Sequence, residues 1–376
     1  MLARIPLRST HLAALVLMST CAMPAAAAAQ GFKWTGGAPR GDGNWSIGSN
    51  WAGGVPPNGS VGTLKFPKLG GGCGVTQSSK TCYSSDNDLH GLTADAISVE
   101  NTQGYSLFGN AFTLGAGGLT AAPGTSHCPC NPSGLFLPIV LGADQTWSID
   151  GLFGLTVGGK VTGQPHALHI VVGSNATAYL NDVEVGKITA TVAGNSRFTF
   201  PFLVLDGGRS KTRELNGVDG NPVHLAGGLF LRASHAAVGS LSTNNAVVSG
   251  VGSSPPGTLT VNGSVALDSR SEVLVYVSHS GAAAGKNYWQ LAASGPVDLA
   301  GAHLVLSVST SNGSGPDQPC PKLKRGTVET LIKTKGALKG RFAGIHDKGK
   351  ATITCSGKQP KVRIHYKRHA VTAKVL

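Results

Sequence analysis

The chain has 376 residues, among them 54 glycines and 20 prolines, and 13% of its residues are charged, about half of the roughly 25% usual in globular proteins. Its 41% hydrophobic content is patterned, which excludes a disordered chain, and no stretch after the N-terminus approaches the length of a membrane-spanning helix. The formal charge of +13 is lopsided: residues 321–376 carry 15 lysines and arginines against Glu329 and Asp347, whereas residues 30–320 sum to two negative charges, so attraction to an anionic partner belongs to the C-terminal tail.

Residues 1–29 read as a secretory signal, with Arg4 and Arg8, an apolar run from Leu12 to Met18, and small residues at Ala27 and Ala29. The expected mature chain starts near Gln30 and is secreted, extracellular or held at the cell surface, with no transmembrane segment. It keeps Cys73, Cys82, Cys128, Cys130, Cys320 and Cys355. An even number in an exported chain predicts disulfides. Proximity pairs Cys73 with Cys82 and Cys320 with Cys355, leaving Cys128 and Cys130 to close on each other or to exchange with the first pair. No Cys/His set has ligand spacing, so neither a metal nor another cofactor is expected.

Residues 30–69 hold Trp34, Trp45 and Trp51 among Asn and Gly. Rings at this density suit a cap over the open end of a stacked-strand fold; their flat faces could alternatively stack on sugar rings. From Asp86 to Thr120, apolar side chains alternate with small or polar ones at Leu89, at Ile97 and Val99, at Tyr105 and Leu107, and at Phe112 and Leu114. A period of two in short runs predicts strands, each with one apolar face. Similar runs follow at Trp147–Ile149, Leu155–Val157, His169–Val172, Ala178–Leu180, Ile188–Val192 and Phe198–Leu205. No amphipathic helix of ten residues accompanies them. Parallel strands without helical crossovers predict an all-β fold, a single parallel β-helix over residues 70–320. An internal repeat agrees: Leu259, Val261, Gly263, Val265 and Leu267 are followed 32 residues later by Leu291, Gly295, Val297 and Leu299, and each set continues into a stronger run, Val273–Val277 and Leu304–Val308. The rival architecture is two antiparallel β-sandwich domains divided near Pro222.

Residues 321–376 predict a small C-terminal β cap of hairpins built from Val328–Ile332, Arg341–Ile345, Thr352–Cys355, Val362–Tyr366 and Val371–Val375. Its candidate polyanion-binding residues are Lys333, Lys335, Lys339, Arg341, Lys361, Arg363, Lys367 and Arg368. The same cations could instead blunt exposed strand edges against chain-to-chain pairing. They form no aromatic-interleaved readout surface, so no base-specific nucleic-acid readout is expected.

Catalysis finds little footing. Glycosidic cleavage needs two carboxylates across a groove, and the densest polar stretch, Asp206 to Asp219, offers Asp206, Glu214 and Asp219 as the basis of an alternative carbohydrate-active enzyme, a polysaccharide lyase or glycoside hydrolase. No residue is assigned a catalytic role. His166 and His169 stand three apart on a predicted strand, hence on opposite faces.

The tryptophan-rich opening, the phrases NDLHGLTADAISVENTQGYSLFGNAFTLGAGGLT and PGTLTVNGSVALDSRSEVLVYV, and the ending LIKTKGALKGRFAGIHDKGK with VRIHYKRHAVTAKV resemble passenger-type surface proteins with autotransporter-associated β-strand repeats. The resemblance implies a right-handed parallel β-helix and an exported, often adhesive, non-enzymatic role. The chain shows no C-terminal membrane barrel, sorting signal or hydrophobic tail, so autotransport and covalent anchoring are not expected. The expected partner is an anionic cell-surface polymer or a glycan.

Overall fold

The computed structural model describes residues 30–38, 42–69, 83–100, 104–122, 133–151, 154–173, 176–193, 202–206, 222–234, 236–250, 256–278, 283–310, 313–314 and 318–376. Within them the protein is all-β, and the single helical element is a 3-10 turn at Gly48–Asn50. Among the described residues no helix is long and apolar enough to cross a membrane.

Most strands fall into three ladders; Ile139–Leu141 pairs in parallel between Phe112–Leu114 and Val161–Thr162. In the first, Phe32–Lys33, Ser60–Phe66, Thr93–Glu100, Phe112–Ala122, Gln145–Ile149, Leu155–Val172, Thr177–Val192, Pro222–Ala226, Ser240–Asn244, Val265–Ala266, Val297–Asp298 and Leu338–Lys339 pair successively and in parallel. The second runs through Ser84–Asn87, Ser106–Gly109, Ser133–Leu135, the first residues of Leu155–Val172 and of Thr177–Val192, then Phe202–Asp206, Phe230–Ser234, Val247–Ser249, Glu272–Val277, His303–Thr310 and Lys350–Thr354. The third is shorter: Ala236–Val238, Thr258–Val261, Gln290–Ala293 and Val328–Thr334.

Register explains why alternation was visible in the sequence. Phe32, Leu64, Ile97, Leu119, Trp147, Ile170, Ala190 and Leu225 stand opposite one another in consecutive strands of the first ladder, and all eight are buried. A one-residue slip would turn each of them outward, so burial of the column holds the register. The 32-residue repeat is a stacking offset, because Leu259 pairs with Leu291 and Val265 with Val297. The buried side chains form one apolar cluster from Phe32 to Val375. Pro222–Ala226 pairs in parallel with strands on both sides, and these pairings are not those of antiparallel sandwiches.

Polar groups are used where the chain turns between ladders. Asn87, fully buried, donates from Nδ2 to the Asn110 carbonyl at 2.9 Å and accepts the Leu89 amide at 3.2 Å, and Asn110 donates back to the Leu89 carbonyl at 3.2 Å. Each asparagine thus satisfies backbone groups that the turn leaves without a ladder partner. Gly118 sits at φ +64°, and a Cβ there would lie 2.2 Å from the Thr146 carbonyl oxygen, so only glycine fits.

At the C-terminal end the pairing changes sense. Val328–Thr334 pairs antiparallel with Ala370–Val375, which pairs with Lys361–Lys367, which pairs with Lys350–Thr354. Since Lys350–Thr354 also continues the second ladder and Val328–Thr334 the third, the hairpins join the two ladders. The expected strand at Arg341–Ile345 is not formed. Gly340 just before it and Gly344 within it take φ of +71° and +67°, Phe342 plugs into the core, and Ile345 closes a turn by donating its amide to the Phe342 carbonyl at 3.2 Å.

Candidate functional site

The aromatic residues of the N-terminal segment do not form a sugar platform. Trp34, Trp45 and Trp51 are all buried. Trp51 meets Trp34 edge to face at 5.1 Å and Trp45 at 5.8 Å, and Phe66 packs among all three. The indole N–H of Trp45 donates to Ser85 Oγ at 3.0 Å and that of Trp51 to the Trp45 carbonyl at 2.8 Å, so the rings have both their faces and their polar edges occupied by the protein. Tyr105 extends the cluster, in contact with Phe66 and Tyr83 and donating its hydroxyl to the Pro67 carbonyl at 2.6 Å; burial pushes that phenol up.

The basic residues are divided by the hairpins into two groups. In Lys361–Lys367 the buried Val362 and Ile364 alternate with Lys361, Arg363, His365 and Lys367 on the outer face. Cross-strand register then places Lys350 and Lys374 directly opposite Arg363, one on each side. Neither lysine was singled out from the sequence. Alternation about buried neighbours marks them as outward, but their alignment with Arg363 depends on hairpin register. The second group lies at the far end of the same hairpin. The Thr334 amide donates to the His369 carbonyl and the Leu338 amide to the Arg368 carbonyl, both at 2.9 Å, which brings the segment carrying Lys333, Lys335 and Lys339 against the turn carrying Arg368. Lys333 itself pairs with Ala370, and Lys339 with Asp298. Arg341 stands apart, its guanidinium 5.9 Å from the Tyr366 ring centroid.

Two acids accompany these cations, and only Asp347 lies beside the outer face. The Asp347 carboxylate accepts the Tyr366 amide at 3.0 Å, and that bond above all holds it below the usual carboxylate range. Glu329 points the other way, into the core, and burial raises its carboxyl to about 7. Among the described residues none of Lys350, Lys361, Arg363, Lys367 and Lys374 is in an ion pair. The five therefore concentrate positive charge on one face, with the Asp347 carboxylate near its His365 end.

Edge protection fits the Arg363 row poorly. Lys361–Arg363 is paired with strands on both sides, so it has no edge there for charge to blunt, whereas His365–Lys367 pairs only with Ala370–Thr372. Like charges directly opposite one another weaken a strand pair, and Lys350, Arg363 and Lys374 form such a row.

The disulfide expected between Cys320 and Cys355 is formed, with Cα atoms 5.0 Å apart. It ties the segment entering the hairpins to the strand that continues the second ladder. Cys73, Cys82, Cys128 and Cys130 lie outside the described residues, as do the signal segment and Glu214 and Asp219 of the acidic stretch; of Asp206 only the backbone is described, ending the strand Phe202–Asp206. Asp182 and Glu184 share a strand face, where Glu184 meets Lys160 at 2.8 Å. Among the described residues no three His, Cys, Asp or Glu side chains come together in a way that could hold a metal ion. His166 lies 3.5 Å from the Asp144 carboxylate and His169 3.4 Å from the Thr191 hydroxyl, so the two histidines have separate partners. Compared with protein-family models, with curated proteins and with solved structures, the chain gives no match.

Proposed function

We propose that this is a secreted or cell-surface protein without catalytic activity, a right-handed parallel β-helix of the autotransporter-associated repeat type, whose basic C-terminal hairpins bind anionic polymers. The three parallel ladders and the 32-residue stacking offset support the β-helix. The signal-like N-terminus and the disulfide support export.

The observation that carries the binding reading is the position of Arg363. It lies on a strand paired on both sides and between two lysines, an arrangement that costs stability and that edge protection does not require. An anionic polymer lying on the face would relieve the repulsion. The affinity expected is electrostatic, with little sequence or sugar readout.

The test is retention of the mature protein on immobilised dextran sulfate across a salt series. Affinity should fall steeply with salt, because counterions released from the polymer drive the association. Reversing Lys361, Arg363 and Lys367 to Glu should abolish retention, and reversing Lys333, Lys335 and Lys339 should weaken it, with the far-UV spectrum unchanged. Undiminished, salt-insensitive retention by the folded reversed protein contradicts the reading.

A further inference from the structure

The outer-face charges are arranged as well as numerous. Lys350, Arg363 and Lys374 occupy one row across three strands, and neighbouring strands are about 4.8 Å apart, so three cationic side chains rise from positions roughly 5 Å from the next. Arg363, the middle one, is half-buried while both lysines are exposed. Its planar fork is thus the most restricted of the three, with the two flexible ammonium groups flanking it. Along the strand, Lys361 and His365 neighbour Arg363 on the same face.

Three cations crowded around one point select for the number of oxygens an anion offers. A carboxylate has two, and a bidentate guanidinium contact occupies both. A phosphate or sulfate ester is tetrahedral, and can engage the guanidinium with one pair of oxygens while turning another toward an ammonium group. Resting on the polyanion-binding reading above, we infer that the row Lys350, Arg363 and Lys374 is a subsite for a tetrahedral oxyanion, a phosphate or sulfate ester on a linear polymer, and discriminates against polymers whose charges are carboxylates. The polymer runs along Lys361–Lys367, where the outward Lys361 and Arg363 stand about 7 Å apart and Lys367 follows two outward positions on. Asp347 is anionic but sits beside Tyr366 and His365 rather than in the row, and Glu329 faces the opposite side of the sheet.

The experiment compares binding of the full mature chain to sodium polyphosphate, dextran sulfate and polygalacturonate at one ionic strength and matched charge density. Polyphosphate and dextran sulfate should bind at least about tenfold more tightly than polygalacturonate, the order expected of a bidentate charge-assisted contact. Tighter binding of polyphosphate assigns a phosphate polymer, and tighter binding of dextran sulfate a sulfated glycan. Arg363→Lys keeps the charge and removes the fork, so it should close most of that gap. Lys322→Gln, outside the row, should lower all three affinities alike. An intact Cys320–Cys355 linkage and an unchanged far-UV spectrum establish that each variant is folded. Equal binding of the three polymers, or a gap that survives Arg363→Lys, overturns the subsite while leaving the basic face as a general polyanion surface. Failure of all three to bind overturns both.

Discussion

Glu329 stands opposite Ala373 in the strand pair that begins the C-terminal hairpins, with its side chain in the core and its Oε1 without a hydrogen-bond partner. A titratable neighbour is Tyr288, whose hydroxyl accepts the Thr330 amide at 3.1 Å and whose own ionisation is opposed by burial and by Glu329. A carboxylate in such a place lacks both water and a counter-charge, so the folded protein keeps it protonated.

The sign of the resulting pH dependence follows from linkage. In the unfolded chain the carboxyl ionises near 4.5, while in the folded protein it holds its proton to about 7. Between these values the folded state binds the extra proton, so stability falls as pH rises, by about 3 kcal/mol across the window, and levels off above pH 7. Glu329→Gln should flatten the profile and be the more stable protein at pH 8. Urea midpoints at pH 5, 6, 7 and 8 measure this. Parallel slopes for the two proteins would show that Glu329 is not the group responsible.

The cross-strand row makes a prediction in the opposite direction from ordinary surface mutagenesis. Arg363→Thr removes a like-charge repulsion from both Lys350 and Lys374 and places a good strand former in the middle of the sheet. Without ligand, the variant should be more stable by about 0.2–1 kcal/mol while binding dextran sulfate less tightly. A loss of stability on substitution would mean that Arg363 has a structural role in the sheet.

The tryptophans should behave as packing residues. Trp51→Ala empties a site in contact with Phe32, Trp34, Trp45 and Phe66 and should cost about 3–5 kcal/mol. Chemical denaturation followed by far-UV circular dichroism would detect the shift. A variant of unchanged stability that had lost binding to a glycan array would restore the sugar-stacking alternative.

Closing 35 residues of sequence separation, the Cys320–Cys355 bond restricts the unfolded chain, an effect of about 4 kcal/mol in the chain-entropy account. Replacing both cysteines by serine should lower stability by that order. Non-reducing peptide mapping of the protein should recover the two cysteines linked; free thiols at both positions would contradict the bond.

Local patterns carried much of the architecture into the sequence. Alternation at Ile97 and Val99, or at Leu259 and Val261, needs only the geometry of a strand with one buried face, and the offset from Leu259 to Leu291 needs only that successive strands stack. The charge of residues 321–376 and the pairing of Cys320 with Cys355 were legible for similar reasons, one being a count and the other a proximity. Relations across strands were not. Whether the Trp51 ring meets solvent or Trp34, whether Glu329 points into the core, and whether Lys350 and Lys374 flank Arg363 all depend on which residues face each other between segments distant in the chain. The turn at Arg341–Ile345 belongs with these, because an apolar Phe342 between Gly340 and Gly344 reads as a strand until its burial and the glycines' positive φ are known. Side-chain periodicity is a property of one strand, whereas register is set jointly by hairpin turns and by the apolar column each strand must fit, and only the folded chain brings those constraints together.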